Sequence, residues 1–317
     1  MPLKLITFTN GSDVRPGAML SDGELLDLQA AGLQAAGLQA AGLQAAGLHV
    51  AGLARGGAMA EIIAAGAPAL AAIRALVANP PATARLSLSA VKLLAPLPRP
   101  ARNIFCVGRN YMDHVAEGDR ARGITNSELP KFPQFFTKAP ETVIAPGDTI
   151  PDHGAAGVTQ WLDYEAELTL IIGKPGANIE KEDALSHVFG WTIANDVTGR
   201  DLQRRYGQWF KGKSLDGSCP LGPWIIPADE LDASDLAIQL WVNGEQRQSS
   251  RTSKMIFDVR EIIHHLSKGF TLLPGDVIMT GTPEGVGYAM VPPQVLKTGD
   301  VVRISVEGIG ELINPVG

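Results

Sequence analysis

Hydrophobic and polar positions alternate strictly through residues 161–170, WLDYEAELTL. Leu162, Tyr164, Ala166, Leu168 and Leu170 fall on one parity, and Asp163, Glu165 and Glu167 on the other. A period of two predicts a strand with one apolar and one acidic face. At a rise of roughly 3.3 Å per residue the acids recur about every 7 Å. Two carboxylates about 5 Å apart repel by roughly 3 kcal/mol at an effective dielectric near 20. Solvent on a charged surface strand would screen this repulsion, and a divalent cation held by carboxylate oxygens would reverse it. The apolar run continues into Ile171 and Ile172, so the acidic face is not plainly wet.

The same patterning predicts the rest of the chain. LKLITF, GAML and ELLDL read as short strands near the N-terminus, with a hairpin at Asp22-Gly23. From Leu28 to Leu53 a pentapeptide, LQAAG, repeats with little variation. A period of five matches neither helix nor strand and supplies barely one coil of a β-helix, so a loop or frayed helix is expected. MAEIIAAGAPALAAIRALVAN predicts an Ala-rich helix broken near Pro68. Pro96, Pro98 and Pro100 then form a stiff extended linker, taken as the boundary between an N-terminal domain, 1–99, and a second domain, 100–317. Beyond it, β-branched runs cut by Gly and Pro predict many short strands: NIFCVG, QFFTKAP, ELTLIIG, GWTIAND, GPWIIP, AIQLWVNGEQRQ, DVIMTGTP and DVVRISVEGIGEL. Two helices are expected among them, KEDALSHVFG and EIIHHLSKGF.

Composition narrows the function classes. Across 317 residues, 45% are hydrophobic and 19% charged, as in globular proteins, and the net charge of −6 offers no basic stripe for nucleic acid. Cys106 and Cys219 lie in no metal or redox spacing, and buried free thiols are the simpler expectation. The start, MPLKLITFTNG, lacks the pattern of a signal peptide, and no run reaches the ~18 apolar residues of a membrane span. A cytoplasmic protein with no nucleic-acid and no membrane partner is expected.

Four stretches carry chemistry. In GRNYMDHVAEG, His114 and Glu117 are three apart and share a face on a helix, as a general base and its orienting carboxylate would, or as a surface ion pair would. Glu165 and Glu167 share a strand face. IANDVTGRDLQ ends an apolar run in Asp196. LPGDVIMTGTPEGVG opens a strand into a Gly-rich turn bearing Thr280 and Thr282, whose N–H groups and hydroxyls could receive an anion.

Together, GRNYMDHVAEG, LDYEAELTLIIG, GWTIANDVTGRDLQ, KGKSLDGSCPLGP and TGTPEGVG closely resemble the fumarylacetoacetate hydrolase family, in the family's order and over roughly residues 100–317. The first hundred residues match only as a variable N-terminal region. The resemblance implies an α+β, mostly β fold, a mixed β-sandwich roll with a small N-terminal α/β domain, assembled as a homodimer. It implies one Mg²⁺ or Mn²⁺ per chain on Glu165, Glu167 and Asp196, with Asp163 outside the ligand set. His114 and Glu117 fall on the pair of the family's mobile lid. Lys213 falls on its catalytic lysine, with Lys211 a nearby competitor. Arg200, Gln203, Thr282 and Tyr111 fall on substrate-binding positions.

For such a family the expected activity is metal-dependent hydrolysis of a carbon–carbon bond in a 2,4-diketo acid. His114 and Glu117 would activate a water, and Lys213 would stabilise the developing oxyanion. The alternative on the same fold is an oxaloacetate-type decarboxylase or a keto-acid isomerase or lyase, which shares the enolate but needs no attacking water. A binding protein with a relict metal site is the remaining reading.

Overall fold

The short strands assemble into one large sheet that runs through both halves of the chain. The computed structural model describes residues 2–11, 13–21, 23–33, 53–125, 128–154 and 156–317, and among them this sheet has twelve strands. Its main path begins at Gln134–Lys138 and passes through Ile104–Gly108, Val277–Met279, Ala166–Ile172, Val188–Asn195 and Cys219–Pro227. It ends through Leu5–Thr9, Val14–Ser21, Glu24–Asp27 and Arg85–Ser87. A separate antiparallel sheet is formed by Glu245–Arg251, Ala237–Val242, Val301–Val306 and Gly310–Pro315. The architecture is α+β and mostly β, as expected.

Parity along Ala166–Ile172 sorts its side chains between two cores. Ala166, Leu168, Leu170 and Ile172 join Ile238, Leu240 and Ile304 of the four-stranded sheet, with Ile262 and Ile263 of the helix Val259–Ser267. Ile171 instead joins Leu5, Ile225, Met59, Ile63 and Ile73. Each aliphatic side chain buried this way contributes roughly 1.5–3 kcal/mol. The helix Val259–Ser267 forms as the sequence predicts: Asp258 accepts a hydrogen bond from Glu261 N–H at 2.9 Å, and its apolar positions face the core.

Three expectations change. WLDYEAELTL is not one strand: Leu162–Asp163 pairs with Thr198–Gly199, while Ala166–Ile172 pairs with Val188–Asn195 and Val277–Met279. Both faces of Ala166–Ile172 are buried, which removes the reading of a solvated acidic surface. KEDALSHVFG is not a helix. It makes a single 3₁₀ turn, Ala184–His187, and enters the strand Val188–Asn195, because ladders on both sides of that buried strand outweigh a short helical pattern. The proline-rich stretch is not a free linker: Leu97 is buried and Pro96 O accepts a hydrogen bond from Thr7 Oγ1 at 2.6 Å. The N-terminal segment packs against the rest of the chain: Leu5 pairs with Ile225 and the second core draws on both halves.

The hairpin joining Val14–Ser21 to Glu24–Asp27 forms, and Asp27 Oδ1 then receives the N–H groups of Gln29 and Ala30 at 3.0 Å each, turning the chain. Residues 34–52, most of the pentapeptide repeat, lie outside the described residues. The Ala-rich stretch forms two helices, Leu53–Ala65 and Ala67–Ala78, broken at Gly66 with Pro68 in the first turn of the second. Their axes bend by 110°, and no single helix among the described residues is long and apolar enough to cross a membrane.

Candidate active site and metal centre

Backbone pairing brings three acids together. Glu165 N–H donates to Asn195 Oδ1 at 3.0 Å, and Asp196 N–H donates to Glu165 O at 2.9 Å, so the ends of two neighbouring strands are locked side by side. Glu165, Glu167 and Asp196 are all buried, and each offers an oxygen within 4.8 Å of the others. Their neighbours are cations. Lys213 Nζ donates to Glu165 Oε2 and Asp196 Oδ2 at 2.6 Å each. Lys138 Nζ, wholly buried, donates to Asp196 Oδ1 at 2.7 Å and Val197 O at 3.1 Å. Arg200 lies 2.6 Å from Glu165 Oε1 and donates through Nε to Asp163 Oδ2 at 2.8 Å.

These contacts set the charge states. Burial opposes ionisation of Glu165, but Arg200 and Lys213 outweigh it and hold its carboxyl well below the usual range. Burial likewise opposes the charge on Lys213, and Asp196 and Glu165 outweigh it, so the ammonium is retained. Glu167 behaves oppositely: burial, Asp196 and Glu165 push its pKa well above the ordinary value, against weaker opposition from Lys213 and Gly281. No cationic side chain among the described residues bonds to it, and its Oε2 receives Gly281 N–H at 2.6 Å. Three hard oxygen donors, one of them short of positive charge, are what a divalent cation of the Mg²⁺ type requires. The donor set fits such an ion, and the opening acid pattern has its explanation there.

Four amides of the Gly-rich turn are taken by carboxylates of the protein itself. Gly281 gives its N–H to Glu167, Gly285 to both oxygens of Glu117 at 3.0 and 3.1 Å, and Gly287 and Tyr288 to Asp163 at 2.8 and 3.2 Å. Gly281 has φ 99°, and a Cβ there would lie 2.7 Å from Asn110 Cβ, so glycine is required. Asp163 thus stands outside the metal triad and anchors both Arg200 and the turn.

Above the triad lies a cavity of about 310 Å³. Its walls include Glu165, Glu167, Lys213, Arg200, Gln203 and Thr282. Gln203 Oε1 accepts from Arg200 at 3.3 Å, and Thr282 Oγ1 accepts from Gln248 Nε2 at 2.9 Å, which leaves the threonine O–H to donate. The helix Met112–Ala121 forms the roof and brings in His114, which is nine-tenths buried. His114 Nδ1 stands 3.5 Å from Glu117 Oε2 without a hydrogen bond, because Glu117 is turned to Gly285.

One expectation needs correction. Tyr111, expected at the substrate, is not among the cavity-lining residues: its ring is buried at the start of the roof helix, where burial and Glu167 raise its hydroxyl pKa. Lys211 is exposed and takes no part, leaving Lys213 as the site lysine. Sequence reading missed Lys138, which lies 58 residues from Asp196 in a strand whose pattern announces nothing. It also missed Gln248, and the arginines Arg109, Arg122 and Arg204 on the cavity wall. The excess of acids over paired cations was the available signal for Lys138.

Comparisons with known proteins point to one family. The model of the fumarylacetoacetate (FAA) hydrolase C-terminal family matches residues 103–317. Oxaloacetate tautomerase YisK of Bacillus subtilis is 49% identical over 232 residues, 73% of this chain and 75% of its own length. A mitochondrial oxaloacetate tautomerase of Xenopus laevis, fahd2, is 43% identical over 236 residues, 73% of this chain and 70% of its own. Among solved structures, a fumarylacetoacetate hydrolase from Exiguobacterium antarcticum superposes with a TM-score of 0.78 at 40% identity, covering 99% of each chain.

Proposed function

The chain belongs to the fumarylacetoacetate hydrolase family, and from that premise we propose that its cavity carries keto–enol tautomerisation of oxaloacetate or a closely similar 2-oxo dicarboxylic acid. What carries this reading is the 49% identity, over 73% of the chain, to a protein named for that reaction. The roof pair supports it. Hydrolysis of a diketo acid needs a water activated by His114 and Glu117, and Glu117 is instead engaged by the Gly285 amide. Tautomerisation consumes no water. This reverses the order of the two readings drawn from the sequence, in which carbon–carbon hydrolysis came first.

Glu165, Glu167 and Asp196 would hold one Mg²⁺ or Mn²⁺, which when bound supplies Lewis acidity toward the 2-oxo group. Lys213 keeps its ammonium at the cavity wall and stabilises negative charge developing on the C2 oxygen. Arg200, tied to Asp163 and Glu165, holds Glu165 in place rather than moving during turnover. The Thr282 hydroxyl and the Gln203 amide orient the C1 carboxylate. His114 on the roof delivers a proton to C3 while the enol O–H proton passes to solvent water, from which His114 is reprotonated, so one proton is gained at carbon and one lost from oxygen.

The test follows the ultraviolet absorbance of enol-oxaloacetate with the purified protein and Mg²⁺, beside pyruvate release from an acylpyruvate. Enol decay well above the buffer rate, lost in Glu165→Gln, supports the reading. Pyruvate release that outpaces enol decay restores the hydrolase.

A further inference from the structure

The roof carries a strained arginine that the chemistry above leaves without a task. Arg109 follows the strand Ile104–Gly108 and adopts φ 56°, a left-handed conformation uncommon for side chains of its kind. The backbone around it has little room to relax. Asn110, the next residue, is wholly buried; its amide donates to Phe257 O at 3.0 Å and Thr280 O at 2.7 Å and accepts from Phe257 N–H at 2.8 Å. Gly108, the preceding residue, is pressed against the Trp209 indole. Strain held in place on both sides at a cavity wall marks a side chain that must be presented in one direction.

That side chain lines the cavity with its hydrogen-bonding capacity largely unspent. Nε is shut off from solvent and has no acceptor. One terminal nitrogen reaches Asp119 at 3.3 and 3.5 Å, the outer limit of a hydrogen bond. Asp119 is held more tightly by Arg122, which also lines the cavity. Two guanidiniums therefore share this carboxylate, and donors are left over at the wall. A planar guanidinium with spare N–H groups is matched in geometry by a carboxylate.

We propose that Arg109, supported by Arg122, binds the second carboxylate of a dicarboxylic 2-oxo acid and so sets the preference for diacids over monoacids. The inference rests on the keto-acid reading of the cavity floor, which takes the C1 carboxylate and 2-oxo end. Its test compares two ligands that differ by one carboxylate, L-malate and L-lactate, titrated calorimetrically into the full-length protein in Mg²⁺ buffer. The variant is Arg109→Asn, because asparagine tolerates the left-handed backbone and removes only the guanidinium. Wild type should favour malate by roughly ten- to a hundredfold, the range for a lost charge-assisted hydrogen bond, and the variant should collapse that ratio. Arg109→Lys, which keeps the charge but not the fork, should retain part of it, and covers the case in which the asparagine variant does not fold. Absence of a malate preference in wild type, or an equal loss of both ligands in the variant, overturns the proposal. If the ratio collapses while wild type leaves enol-oxaloacetate unchanged, the diacid subsite stands and the tautomerase reading falls.

Discussion

The floor and the roof of the cavity are built on different principles. The floor hangs on paired strands, and its carboxylates are buried among Lys138, Lys213 and Arg200, so the geometry is set before any substrate arrives. The roof is one helix, Met112–Ala121, held by Glu117 on Gly285, by Asp119 on two arginines, and by a backbone bridge from Tyr111 to Met255. Its His114 lacks a hydrogen bond at Nδ1, and Arg109 beside it is strained. A preorganised floor suits charge stabilisation, which works best when donors need not move. A roof on few contacts suits opening and selection.

The comparison breaks most visibly at Lys138. Removing a buried partner leaves Asp196 poorly compensated, and such losses cost about 3–5 kcal/mol. Lys138→Met should lower stability by that order in chemical denaturation. Roof substitutions, if the contrast holds, should lower it far less.

His114→Ala tests the roof's side. Losing a group that relays a proton typically costs a factor of ~10²–10⁴ in rate, and enol decay should fall accordingly while the melting temperature shifts little. A large stability loss with proportionate activity loss would make His114 a packing residue.

The charge states give a third, smaller effect. Glu167 has its folded pKa raised above the ordinary value of 4.5, so in metal-free protein the native state binds more protons than the unfolded chain above that pH. Stability must then fall as pH rises from about 4.5 toward the raised value. Glu167→Gln should remove this slope, and saturating Mg²⁺ should flatten it, because cation binding favours the ionised carboxylate. A rising slope in the same window would contradict the charge assignment.

The smallest effect concerns the fit of roof to turn. A Cβ on Gly118 would lie 2.8 Å from the Tyr288 hydroxyl. Gly118→Ala should loosen closure at a cost of about 1 kcal/mol, read as faster amide exchange in residues 112–121.

Much of the floor was legible from sequence because strands write their faces as parity. Glu165 and Glu167 announced themselves that way, and Asp196 ended a recognisable apolar run. Long-range partners leave no such trace: Lys138 meets Asp196 through sheet order, and Gln248 meets Thr282 across 34 residues. The acid at Asp163 was kept out of the ligand set in the sequence reading, but its grip on Arg200 and the turn depends on the break between Leu162–Asp163 and Ala166–Ile172. Residues 181–190 misled for a related reason, since a locally helical pattern yielded to two neighbouring strands. The roof was legible only as a His–Glu pair. The turn amide that draws Glu117 away, and the strain at Arg109, belong to tertiary structure.

The central claim is that this cavity moves a proton at C3 and breaks no carbon–carbon bond. Proton NMR of oxaloacetate in D₂O, with the protein and Mg²⁺, tests it most directly. The account predicts loss of the C3 proton signal faster than in the buffer blank, with the four-carbon acid intact and Glu165→Gln at the blank rate. Growth of a pyruvate methyl signal at the expense of oxaloacetate and faster than in the blank, with C3 exchange no faster than the blank, would contradict it.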